Sequence, residues 1–233
     1  SFSNATNASL YLHAAALAEL GFIVVMMDGR GTAYRDRAFV DTSYGWIPSS
    51  NHVEDRISGI KQLAQKYQYI DLKRVGIVGL SGSAGALYGL LQYPDFYKVG
   101  VSHAAQDARL MPAGYGELFE GLLATANQHQ YAEQLAGNLQ GKLLLMHNLL
   151  DAVNASAATW RLVDALEKAN KDFDMLVLPK QGPGPTISSF YALRRTWDYF
   201  VKHLLNITPP KEFDLRLEVN KENCCLLESR KRA

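Results

Sequence analysis

The chain is 233 residues long, 48% hydrophobic and 20% charged, which fits one ordinary α/β globule with a full core. Its formal net charge of +1 excludes the clustered cations on which nucleic-acid binding rests. No apolar run approaches the ~20 residues of a membrane-spanning helix, and no signal peptide is legible, so the chain reads as soluble with no compartment assigned.

The chain opens on Ser1 and enters a helix almost at once, which reads as a fragment of something longer. Leu10 to Leu20 is rich in Ala and Leu and predicts a helix that stops at Gly21. Phe22 to Met27 is a continuous apolar run, the pattern of a strand covered on both faces. Asp28-Gly29-Arg30-Gly31-Thr32 follows as a polar turn at its carboxyl end. After an irregular stretch through Trp46 and Pro48, Val53, Ile57, Ile60 and Leu63 recur at helical spacing, with Ser50 and Glu54 as capping candidates.

Asp71 and Lys73 lead into the strand Val75-Gly76-Ile77-Val78-Gly79, and the helix beyond it ends at Tyr93-Pro94-Asp95, where proline cannot continue it. Val99 to His103 predicts a third strand, Asp107 to Gln140 a long and mostly helical excursion, and Lys142 to His147 a fourth strand. Trp160, Val163 and Leu166 mark an amphipathic helix, and Phe173 to Leu178 a fifth strand. Gly182-Pro183-Gly184-Pro185 is a rigid loop, after which Phe190, Leu193, Trp197, Val201 and Leu204 form the stripe of a last helix. Strands alternating with helices mean βαβ units and a parallel sheet, with ligands gathered at the carboxyl ends of the strands. From about Glu212 the chain is charged and without apolar period, a solvated tail.

Cys224 and Cys225 are adjacent in that tail and fit neither a disulfide framework nor metal-ligand spacing. The glycosylation sequons at Asn4, Asn7, Asn154 and Asn206 are read as chance triplets. No metal or cofactor is implied.

The stretch with chemical content is Gly79-Leu80-Ser81-Gly82-Ser83-Ala84-Gly85. A strand that turns sharply through glycine into a helix lifts one hydroxyl above the sheet edge, and the nucleophile elbow has the pattern G-x-S-x-G. Here the first glycine and Ser81 are kept and Ser83 stands for the second glycine; the alternative frame from Ser81 to Gly85 keeps only the later one. The same turn can also be purely structural. A serine nucleophile needs an imidazole to take its proton and a carboxylate to orient that imidazole, in the chain order Ser, Asp, His for α/β-hydrolases. Asp151, after the fourth strand, is the candidate acid; its other reading is a helix-capping Asp ahead of the helix at Ser156. The base should lie in the loop after Leu178, and that loop, Pro179 to Pro185, holds no histidine. The histidines at 13, 52, 103, 129, 147 and 203 read as core or surface residues.

From about Leu10 to Phe213 the chain resembles the catalytic domain of the prolyl oligopeptidase family of serine peptidases, particularly its dipeptidyl peptidase IV-like branch. The residues that carry the resemblance are Asp28-Gly29-Arg30-Gly31, Val53-Glu54-Asp55, Asp71-Leu72-Lys73-Arg74, the Ser81 elbow, Tyr93-Pro94-Asp95, Tyr115-Gly116-Glu117, Lys142 to His147 and Arg194 to Phe200. The resemblance implies an α/β-hydrolase fold over residues 1–213, a mainly parallel sheet with flanking helices truncated at its N-terminus, and a polar tail over 214–233. It implies Ser81 as nucleophile, Asp151 as triad acid, the Gly82 N–H as an oxyanion donor, and Tyr115 and Phe119 around the substrate pocket. The activity implied is cleavage of short peptides through a serine acyl-enzyme, with a peptide substrate or ligand, an upstream β-propeller and a second copy of the chain as partners.

Departures from the pattern point the other way. Pro183 occupies the family's histidine position, Ser83 replaces a glycine, and Ala152 and Val153 stand where an asparagine is usual. The chain also begins after the strand and tyrosine that complete the family's oxyanion hole. That strand belongs between the Phe22 run and the Val75 strand, so the sheet is expected to show a gap there or to re-pair. The alternative to a peptidase is therefore a non-catalytic relative with a binding or assembly role.

Overall fold

The computed structural model describes residues 8–32, 34–44, 52–80, 85–104, 110, 130–151, 154–179 and 189–215. Four strands run parallel in the spatial order β1-β2-β3-β4: β1 Val75–Leu80, β2 Tyr97–His103, β3 Lys142–Asn148 and β4 Asp174–Leu178. Six α-helices accompany them among the described residues: α1 Ala8–Glu19, α2 Arg37–Asp41, α3 Val53–Lys66, α4 Gly85–Gln92, α5 Ser156–Lys168 and α6 Phe190–Leu204. The near-unbroken apolar runs of the strands are explained by cover on both faces. One face packs Ile77, Leu143 and Leu145 against α3, α4 and α5; the other packs Val99, Val101, Leu144 and Met146 against α6, with Leu17 and Phe22 at its margin. Pleating sends successive residues to opposite faces, so Leu143 and Leu144 belong to different halves of the core.

Two glycines set how closely the layers approach. A Cβ on Gly76 would stand 2.7 Å from Leu204 Cδ1 and 2.8 Å from Phe200 Cε1, so α6 crosses β1 where β1 has no side chain. A Cβ on Gly141 would stand 2.5 Å from the Lys98 carbonyl oxygen, a backbone atom with no freedom to retreat.

Several expectations are corrected. Phe22 to Met27 forms no ladder with any described strand. Phe22 packs edge-on against Phe200 of α6, while Met27 lies against Gly59 of α3, so the two ends of the run touch opposite layers and no described strand pairs with it. Apolar continuity reports burial on two faces and does not by itself report a neighbouring strand. Among the described strands β1 pairs only with β2.

Of the Trp160 stripe, Leu166 is buried and Val163 packs against the core as expected, while Trp160 is 45% exposed and Ala158, Thr159 and Leu162 are buried beside them. On α6 the buried residues are Ala192, Thr196, Tyr199, Phe200 and Leu204, while Phe190 is 46% exposed. Helix α3 starts from His52 with no side-chain cap; Glu54 instead accepts from the Tyr93 hydroxyl at 2.8 Å, and Ser50 lies outside the described residues. Of the 107–140 excursion, the regular element described is a 3-10 helix over Ala132–Asn138.

Five histidines, at 13, 52, 103, 147 and 203, are held below their ordinary pKa, each chiefly by burial, with His52 and His103 pulled down to about 4. They are neutral in the fold and must take up protons when it opens. A depressed folded pKa gives stability that is present above the unfolded value near 6.5 and is lost as pH falls toward the folded value. Urea unfolding should therefore show a steep loss of stability between about pH 6.5 and pH 4, with His103 alone contributing on the order of 3 kcal/mol. A His103→Gln variant should flatten that slope; an unchanged slope would refute the account. In the same assay Gly141→Ala should cost about 2–3 kcal/mol. Gly137→Ala, where a Cβ meets nothing within 4 Å, should be neutral or mildly stabilising.

Candidate active site

The parallel ladders bring four strand ends to one edge. Leu80 of β1 is level with His103 of β2, which is level with Met146 of β3, and Asn148 is level with Leu178 of β4. Ser81 follows Leu80 in sequence, and the acid loop follows Asn148. This edge is where a parallel α/β sheet places its chemistry.

Of the residues expected at the site, Asp151 is described; Ser81, Gly82, Tyr115, Phe119 and Pro183 lie outside the described residues. Asp151 is buried. Its Oδ1 accepts the Asn154 main-chain N–H at 2.8 Å and its Oδ2 accepts the Asn154 side-chain amide at 3.2 Å. The Asp151 N–H donates to the Asn148 carbonyl at 3.1 Å, and Leu149 N–H donates to the Leu178 carbonyl at 3.4 Å, which ties the loop to the end of β4. The helix-cap reading of Asp151 is corrected: the N-cap of α5 is Ala155 and it carries no side-chain cap bond.

His147 lies one layer behind. Its Nε2 is 3.1 Å from the Asn154 carbonyl and its Nδ1 is 2.8 Å from Thr159 Oγ1. A carbonyl only accepts, so Nε2 carries the proton; the neutral ring then offers Nδ1 as acceptor to the Thr159 hydroxyl. Burial favours that neutral form, opposed by the nearby Asp151 charge. Both ring nitrogens are thus engaged inside the loop.

His103 faces α6. Its Nε2 is 3.1 Å from Thr196 Oγ1, and the Thr196 hydroxyl donates to the Ala192 carbonyl at 2.9 Å. A hydroxyl has one proton to give, so His103 Nε2–H donates to Thr196. Because His147 faces α5 and His103 faces α6, the two rings lie on opposite sides of the sheet.

The 28–32 turn is pinned to the first turn of α3. Arg30 grips Asp55 with Nη2 at 2.6 Å from Oδ1 and Nε at 3.0 Å from Oδ2, and its main-chain N–H donates to Oδ2 at 2.8 Å. The Arg30 hydrogen bond holds the Asp55 carboxyl below the usual range. Thr32 folds back onto the Gly29 carbonyl at 2.6 Å, which closes the turn expected from the sequence. Asn154, Thr159 and the Arg30–Asp55 pair were not singled out as partners in the sequence. An Asp-x-x-Asn spacing is a local turn signal that could have found the first, but Thr159 and Asp55 meet their partners only through tertiary packing. Among the described residues no three His, Cys, Asp or Glu side chains are placed to hold a metal ion, and no helix is long and apolar enough to cross a membrane.

The fold is similar to a putative dipeptidyl aminopeptidase IV from Bacteroides ovatus, with a TM-score of 0.69 at 23% identity over 76% of this chain and 26% of that one. It is also similar to Porphyromonas gingivalis dipeptidyl peptidase 4, with a TM-score of 0.66 at 26% identity and the same shares. In sequence it is 30% identical over 179 residues to human dipeptidyl peptidase 8, covering 73% of this chain and 20% of that protein. A probable dipeptidyl-aminopeptidase B from Chaetomium globosum is 33% identical over 202 residues, covering 81% and 21%. The chain thus spans about a fifth of the length of these curated relatives. With the acid loop at the carboxyl edge of a parallel sheet, and with residues 8–206 matching that family's profile, the chain belongs to the prolyl oligopeptidase family.

Proposed function

We propose that this chain is a peptidase-family domain that retains the frame of a serine peptidase without its turnover, and that it serves in binding a short peptide or in assembly. The observation that carries this reading is Pro183 at the position where the family resemblance places the triad histidine. A proline can neither accept nor donate a proton. The two histidines at strand ends are committed elsewhere: His147 has both ring nitrogens engaged around Asn154 and Thr159, and His103 is turned to α6 and bonded to Thr196.

Magnitudes support the choice. Removing the base of a serine triad costs about a million-fold in turnover, as much as removing the whole triad. The reading that keeps activity has one observation in its favour, a buried Asp151 held by Asn154 at the position the resemblance gives to the triad acid. In that case Ser81 forms an acyl-enzyme with short peptides such as dipeptidyl substrates, and the Gly82 N–H receives the oxyanion, with Tyr115 and Phe119 against the substrate. A β-propeller and a second copy of the chain are partners consistent with the family in either reading.

The test is labelling by a fluorophosphonate probe together with turnover of a dipeptidyl-proline amide, against Ser81→Ala. The silent reading expects equal, background signals from both proteins. Labelling of the wild type well above Ser81→Ala would restore the enzyme. Pro183→His reports how much else has drifted: if the base were the sole loss, labelling should rise by several orders of magnitude.

A further inference from the structure

A triad acid that has lost its base has no catalytic reason to stay buried, yet Asp151, Asn154, His147 and Thr159 are all buried together. Their hydrogen bonds run in one direction. Thr159 Oγ1–H donates to His147 Nδ1, His147 Nε2–H donates to the Asn154 carbonyl, and Asn154 donates its main-chain and side-chain N–H groups to the two oxygens of Asp151. Every donor points toward the carboxylate, so the negative charge at the end of the chain strengthens each bond behind it. All four groups come from residues 147–159, and none of these bonds uses an imidazole at position 183.

We propose that Asp151 has a structural task separate from any triad role: with Asn154 it forms a clasp that ties the end of β3 to the start of α5, and Asn154, steadied by His147, is its positioning residue. The proposal rests on the assignment of Asp151 to the triad-acid position but does not require Ser81 to react. It also means that an imidazole restored at position 183 meets a carboxylate whose Oδ2 already accepts the Asn154 amide.

The clasp can be tested by exchanging its members in the full chain. In Asp151→Asn the new amide turns an NH2 toward one of the two Asn154 donors whichever way it is flipped. In Asn154→Asp two carboxylates face each other. In the double exchange the amide carried at position 151 accepts the main-chain N–H of residue 154 through its oxygen. Its NH2 then donates to the carboxylate carried at position 154, so both bonds return. Each single exchange should lower Tm by about 5 °C or more, and the double exchange should recover most of that loss. Should a single exchange fail to fold, recovery of folding in the double exchange supports the clasp equally. A double exchange as unstable as the two singles added, or singles that leave Tm unchanged, would overturn the clasp. The probe experiment on Ser81 is separate: a wild type that labels would sink the silent reading and leave the clasp untouched.

Discussion

A buried carboxylate must be hydrogen-bonded or it drives the surrounding structure apart, and at Asp151 that demand is met from three residues away. The acid loop is organised by this requirement. Asn154 has to turn inward to reach both oxygens, which brings its carbonyl over His147. His147 then needs a donor for its remaining nitrogen, which Thr159 supplies from the first turn of α5. The chain of needs ends on a helix already fixed by Leu162 and Leu166 in the core. The described polar groups of Asp151, Asn154, His147 and Thr159 are bonded to one another, and the last of them is anchored in apolar packing.

The same pleat that builds the core decides where the histidines look. Along β2, Val99 and Val101 face α6, so His103, two residues on, faces α6 as well. Along β3, Leu143 and Leu145 face the opposite layer, and His147 continues that set to reach Thr159. Each ring is committed to a layer by strand alternation and then held by a hydroxyl from the covering helix. A histidine at a strand end is not a proton acceptor in waiting, because the period of two has already directed it into packing.

The four parallel strands were legible because apolar runs bounded by polar turns leave few other readings. That Asp151 follows β3 was legible, but its bonds to Asn154 were not. The Phe22 run failed as a strand because continuous apolarity cannot distinguish two covered faces from two paired edges, and Phe22 and Met27 have the faces only. The face of α6 departs from expectation for a different reason. Hydropathy assigns the large residues inward, while close approach over Gly76 and the bond to His103 select Ala192, Thr196 and Phe200. Small and polar residues mark that interface, and hydropathy gives them no weight.

The order of the strands carries a consequence for motion. Among the described strands β2 and β3 each have a ladder on both sides, whereas β1 and β4 have one each, β1 to β2 and β4 to β3. Local opening starts where backbone hydrogen bonds are fewest and burial is thinnest, so the two outer strands are held less firmly than the inner pair. In sequence Ser81 follows the outer strand β1, whereas Asp151 follows the inner strand β3. β3 is therefore held by ladders on both sides, and β1 by one among the described strands.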